Sequence, residues 1–86
     1  MPYIFDYTKK AKDDIQDLNP EIRNRLGKKI LFFESLEEIK SHCKKLENPE
    51  DGEYRLRIGD YRLIIHITEG NKIIVHKVEY RKDVYK

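Results

Sequence analysis

The chain has 86 residues, enough to bury one core and too few for two. Charged residues (40%) outnumber hydrophobic ones (38%), so the core must be thin and the surface heavily charged, and a net charge of +2 does not by itself mark a nucleic-acid binder. One cysteine, Cys43, excludes an intramolecular disulfide and a cysteine-built metal site.

A lone cysteine fits a reducing compartment. The longest apolar run, Ile30 to Phe33, is far short of a membrane span, and MPYIFDYTKK lacks the apolar core of a signal peptide. The expectation is a soluble, cytoplasmic protein with no membrane partner. The charge is unevenly placed. Residues 1–52 carry ten Lys/Arg and eleven Asp/Glu, a balance of −1, whereas residues 53–86 carry eight and five, a balance of +3. The positive excess lies in the strand-rich half, with the arginine hairpin.

Tyr3 to Tyr7 is rich in β-formers and predicts a first strand. Thr8 suits the N-cap of a helix from Lys9 to about Leu18, with Ala11, Ile15 and Leu18 as its apolar stripe. Asn19-Pro20-Glu21 then opens a second helix: a capping side chain, a proline at the first helical position and an acid at the positive end. Ile22, Leu26, Ile30 and Phe33 follow at helical spacing, with Arg25, Lys28 and Lys29 outside. The two helices make an antiparallel hairpin. After Phe33 two readings stand: the helix continues to about Lys40, or Ser35 with Glu38 caps a fresh turn. Phe33, Leu36 and Ile39 are core on either. Asn48-Pro49 and Asp51-Gly52 mark a loop.

Glu53 to Ile67, EYRLRIGDYRLIIHI, alternates apolar and polar residues on both sides of Gly59-Asp60. Such alternation marks strands with one buried face, and the glycine suits a two-residue type II′ hairpin turn. That turn predicts Ile58 opposite Tyr61, Arg57 opposite Arg62, Leu56 opposite Leu63 and Arg55 opposite Ile64. Arg55, Arg57 and Arg62 then share one face. Like charges directly opposed are mildly destabilising, so the set reads either as a phosphate site or as a solvated polar face. Tyr54 and Tyr61 read as core or sheet-edge aromatics before base-stacking platforms.

Glu69-Gly70-Asn71 makes the next turn, and Lys72 to Arg81 a further strand. A two-residue Gly70-Asn71 turn would turn Ile74, His76 and Val78 to the core and place Ile73, Val75, Lys77, Glu79 and Arg81 beside Arg62; one residue of slip inverts this. The order strand, helix, helix, strand, strand, strand predicts an α+β fold. It is a single two-layer domain over 1–86, with an antiparallel sheet and the helical hairpin on one face. The other face stays open, with Ile64, Ile73 and Val75 among its arginines. Such apolar area beside charge predicts a binding surface.

KKLENPEDGEYRLRIGDYRLII, with IIVHKVEYRKDVY at the C-terminus, resembles the RelE/ParE superfamily of toxin–antitoxin toxins, over nearly the whole chain. The hairpin motif and the R-x-D-V-Y ending are specific together. The resemblance implies a RelE-like fold and a toxin held inactive by a wrapped, RelB-like antitoxin in a heteromeric complex. For the RelE branch it implies cleavage of mRNA in the ribosomal A site by the RNA's own 2′-hydroxyl, with no metal or cofactor. Such a reaction needs cations for the phosphorane, a base for the hydroxyl and an acid for the leaving oxygen.

By resemblance, Arg62 and Arg81 would neutralise the scissile phosphate and Tyr85 would stack on or orient the substrate base. Arg55 and Arg57 stand where well-studied members have lysines, and an arginine is a poor general base. Tyr80 stands where many relatives carry histidine. The base is therefore unassigned, with His66 a candidate by its intrinsic pKa. Lys77 and Lys82 are candidate RNA contacts, or solubilising charges. The rival is the ParE branch, which poisons DNA gyrase without catalysis. A third possibility is a degenerate toxin that only represses its own operon with the antitoxin. His42 reads as a surface residue and His76 as a strand residue near the core; Cys43 beside Lys44 and Lys45 has the surroundings that lower a thiol's pKa.

Overall fold

In the computed structural model, which describes residues 3–47 and 53–80, seven main elements follow in chain order. They are β1 (Ile4–Tyr7), α1 (Lys9–Gln16), α2 (Pro20–Glu34), β2 (Cys43–Lys45), β3 (Tyr54–Ile58), β4 (Tyr61–Ile67) and β5 (Lys72–Tyr80). The sheet order is β1-β5-β4-β3-β2. The α+β fold with both helices on one face stands, with two differences. The sheet is mixed rather than wholly antiparallel, because β1 runs parallel to β5. It also gains a fifth strand, the edge strand β2, paired antiparallel to β3.

Both helices start where the sequence places them. Thr8 caps α1 by accepting from the Ala11 N–H, and Asn19 caps α2 by accepting from the Ile22 N–H at 3.0 Å, with Pro20 behind it. Such caps satisfy N–H groups that a helix start leaves without partners. α2 ends at Glu34 rather than continuing to Lys40. Glu38 then caps a separate turn, its carboxylate accepting from the Lys40 and Ser41 N–H groups. Ser35 takes no part in that cap; its hydroxyl donates to the Phe32 carbonyl.

Leu26, Ile30 and Phe33 of α2 and Ala11 of α1 cover one sheet face. Against them lie Phe5, Leu56, Ile58, Leu63, Ile65, Ile73, Val75 and Val78, with Ile39 closing the end. Burial of such side chains contributes roughly 1.5–3 kcal/mol each before ordering entropy is counted.

The β3–β4 hairpin has the predicted register in every pair, and Gly59 sits at φ +59, where a type II′ turn needs a glycine. The β4–β5 hairpin differs. Its turn holds three residues, Glu69–Asn71, closed by the Thr68 N–H to the Lys72 carbonyl at 2.8 Å. Gly70 and Asn71 both take positive φ there. Ile67 therefore opposes Ile73 and Ile65 opposes Val75, one residue away from the two-residue register. A bulge then restores it: Ile64 opposes Lys77 and Leu63 opposes Val78, leaving His76 as the extra residue.

The predicted inward set is thus corrected for half the strand. Ile73 and Val75 are fully buried in the core, while Ile74 turns to the other face; Val78 inward and Lys77 and Glu79 outward are as expected. Thr8 fastens the bulge from the far side: its N–H donates to the Val75 carbonyl and its hydroxyl to the His76 carbonyl at 2.8 Å. Asp14 of α1 accepts from the Val78 N–H at 2.9 Å, covering the β5 edge where β1 has ended.

Candidate functional site

Side chains directly opposed in a sheet share a face, so the pairings set out the side turned away from the helices row by row. Nearest the β3–β4 turn, Arg57, Arg62 and Glu79 stand side by side across β3, β4 and β5. The next row is Lys44, Arg55, Ile64 and Lys77, from β2 through β5. Five cations thus gather over four strands against one carboxylate. Lys77 and Glu79 make a loose ion pair at 3.8 Å, and Glu79, as the cross-strand neighbour of Arg62, offsets part of the repulsion from Arg57.

The sequence brings Arg55, Arg57, Arg62 and Lys77 together, and the structure does the same. It adds Lys44. That residue was not foreseen because β2 is three residues long, too short for alternation to declare itself. Arg81, Lys82 and Tyr85 lie outside the described residues.

Arg57 is exposed and Arg55 half-buried. Arg62 is only 6% exposed, and its neighbour Ile64 only 4%. The expectation of a solvent-facing Arg62 is therefore corrected. A buried guanidinium is a positioned group, and removing it disturbs the fold as well as any chemistry. The expected apolar area also shrinks: Ile73 and Val75 belong to the core, leaving Ile74 and the covered Ile64 on this face.

His66 shares the arginine face, two pairs further along β4, opposite Ile74. Its ring meets the edge of His76 with centroids 4.3 Å apart. Burial, and secondarily the His66 ring, lower the His76 pKa, so His76 is neutral near pH 7. Cys43 goes the opposite way from its lysine neighbourhood. Burial, then Glu38, pushes its thiol up to about 11, and Sγ donates to the Ile39 carbonyl. It is a protonated structural thiol, not a nucleophile.

No three of the described His, Cys, Asp and Glu residues gather into a metal site, and no described helix is long and apolar enough to cross a membrane. On the helix side of the sheet, a cleft of about 500 Å³ opens between α2 and the β3–β4 turn, walled by Leu26, Phe32, Ile58 and Tyr61.

The family model for the ParE toxin of type II toxin–antitoxin systems matches residues 5–85. The chain belongs to this family, within the RelE/ParE superfamily. It is the toxin of a type II toxin–antitoxin system. None of the curated proteins matches it. Its fold is similar to a chain of the toxin–antitoxin complex RelBE2 from Mycobacterium tuberculosis (TM-score 0.73, 25% identity, 94% of this chain and 100% of that one). It is also similar to a chain of the archaeal RelE–RelB complex from Pyrococcus horikoshii OT3 (0.72, 27%, 94% and 97%). A mutant of the Escherichia coli toxin RelE in the free state shares the fold at 23% identity (0.70, 99% and 92%). The toxin thus matches a ParE model in sequence and RelE chains in shape.

Proposed function

We propose that this toxin cleaves mRNA in the ribosomal A site and is silenced by a RelB-like antitoxin bound in a heteromeric complex. The observation that supports it is the cation band: Lys44, Arg55, Arg57, Arg62 and Lys77 on one sheet face, with two arginines directly opposed. A polyanion resolves the repulsion such a face carries, and forked guanidiniums suit phosphate oxygens.

In the proposed reaction the RNA 2′-oxygen attacks the adjacent phosphorus and the bond to the 5′-oxygen breaks. A base takes the hydroxyl proton and an acid gives one to the leaving oxygen. Exposed Arg57 and half-buried Arg55 meet the incoming phosphate. Arg62, fixed by burial, stabilises the charge that develops on phosphorus. Lys77 and Lys44 hold the flanking backbone. His66, on the same face of β4 as Arg62, is assigned as base. Arg81 at the phosphate and Tyr85 at the base enter through the family resemblance alone, and Lys82 is a candidate backbone contact from its charge. The antitoxin is proposed from that resemblance and from the relatives solved as RelB–RelE complexes.

The match to the ParE model favours a second reading, non-catalytic inhibition of DNA gyrase. Primer extension on a message translated by purified ribosomes, run beside a gyrase supercoiling assay, separates the two. New 3′ ends within the translated frame support the ribonuclease. Inhibited supercoiling with an intact message supports the gyrase reading.

A further inference from the structure

Glu79 is the one carboxylate in the two cation rows. It stands on β5 directly across from Arg62, with Arg57 next in the same row. Its carboxylate lies 3.8 Å from the Lys77 ammonium, with the Lys77 and Glu79 side chains 36% and 34% exposed. Other acids of this side have firmer partners in the fold. Asp6 pairs with Lys72 at 3.4 Å, and the Glu53 carboxylate accepts from the Ile67 N–H. Among the described residues, the loose contact with Lys77 is the only ion pair that Glu79 makes.

A carboxylate in this place acts in two ways. In the free toxin it relieves the repulsion between Arg57 and Arg62. When RNA arrives, a phosphate seeks the same guanidinium and ammonium, and the two anions repel at close range. Binding must displace Glu79 or take place against its charge. A message held in the ribosome brings contacts beyond its phosphates, whereas free RNA brings little else. The same repulsion therefore discriminates between them.

We propose that Glu79 is a specificity determinant: it competes with phosphate for Arg62 and Lys77, and so keeps the toxin from holding RNA outside the ribosome. The inference rests on the proposed ribonuclease reading.

The test measures binding of the full chain to a short, fluorescently labelled single-stranded RNA, 2′-O-methylated so that it cannot be cut. Glu79→Gln is expected to bind roughly fivefold tighter, the effect of releasing two partly exposed cations. Its slope of log affinity against log salt should steepen by about 0.7, one further phosphate neutralised. Glu79→Asp keeps the charge and should stay near wild type. Glu21→Gln makes the same change in net charge on the exposed side of α2, and should alter neither affinity nor slope. On programmed ribosomes Glu79→Gln should still cut the message. Unchanged or weaker RNA binding by Glu79→Gln overturns the proposal. So does an equal gain in Glu21→Gln, which would make the effect one of net charge. A loss of cleavage of about a hundredfold in Glu79→Gln, the size of a missing acid–base group, also overturns it. Each of these leaves the ribonuclease reading standing where the wild type cuts the message. A wild-type chain that cuts none removes that reading, and the inference with it.

Discussion

The two faces of the sheet use the same strands and follow different rules. On the helix side, Leu56, Leu63, Ile65, Ile73 and Val75 are fully buried and pack on Leu26, Ile30 and Phe33. Every choice there lowers the free energy of the fold. On the other side Arg57 opposes Arg62, Lys44 opposes Arg55, and Arg62 is covered while charged. Like charges opposed across a sheet cost a few tenths of a kcal/mol or more. Stability accounts for one face; the proposed anion binding accounts for the other.

Substitutions can break or sharpen that contrast. The largest effect belongs to the packed face: Leu63→Ala should lose about 2–5 kcal/mol, seen as a lower denaturation midpoint with an unchanged slope. Activity at temperatures where the variant stays folded should persist. Arg62→Ala should act on both sides. It should cost about 1–3 kcal/mol of stability, because a buried polar position is vacated, and at least a hundredfold in cleavage. Lysine at 62 should restore part of the rate, since a point charge lacks the bidentate fork.

Thr8→Ala loses the α1 cap and the bond to the bulge carbonyl, and should lower stability by about 1–2 kcal/mol without touching the arginine rows. The smallest effect is a pH dependence. His76 is held below its ordinary value of 6.5, so the unfolded chain takes up that proton first. Its contribution to stability is complete above about pH 6.5 and is lost as the pH falls below it. Melting temperatures at pH 7.5 and 5.5 should differ less for His76→Gln than for the wild type.

The β3–β4 hairpin was legible to the residue, because strict alternation and Gly59-Asp60 leave one register. The next hairpin was legible only at its far end. Two- and three-residue turns at Glu69-Gly70-Asn71 differ by one register step, and nothing local marks His76 as the bulge that corrects it; the bulge is held by Thr8, 68 residues away. Alternation assigns Arg62 to a face but says nothing of what covers it. Lys44 was hidden by the brevity of β2, and the Cys43 thiol by burial that overrides its lysine neighbours. The family resemblance named both RelE and ParE, and the same two names recur in the structural and sequence matches.

Arg57 separates chemistry from folding most cleanly, being exposed and directly opposite the buried Arg62. The decisive measurement is single-turnover cleavage on programmed ribosomes by Arg57→Ala, with its melting temperature recorded on the same preparation. The arginine face as the reaction surface predicts a rate at least a hundredfold lower, about 3 kcal/mol of transition-state stabilisation. It also predicts stability within about 0.5 kcal/mol of wild type, or slightly higher as the repulsion with Arg62 is relieved. Unchanged cleavage, or a wild-type protein that cuts no message, would contradict it.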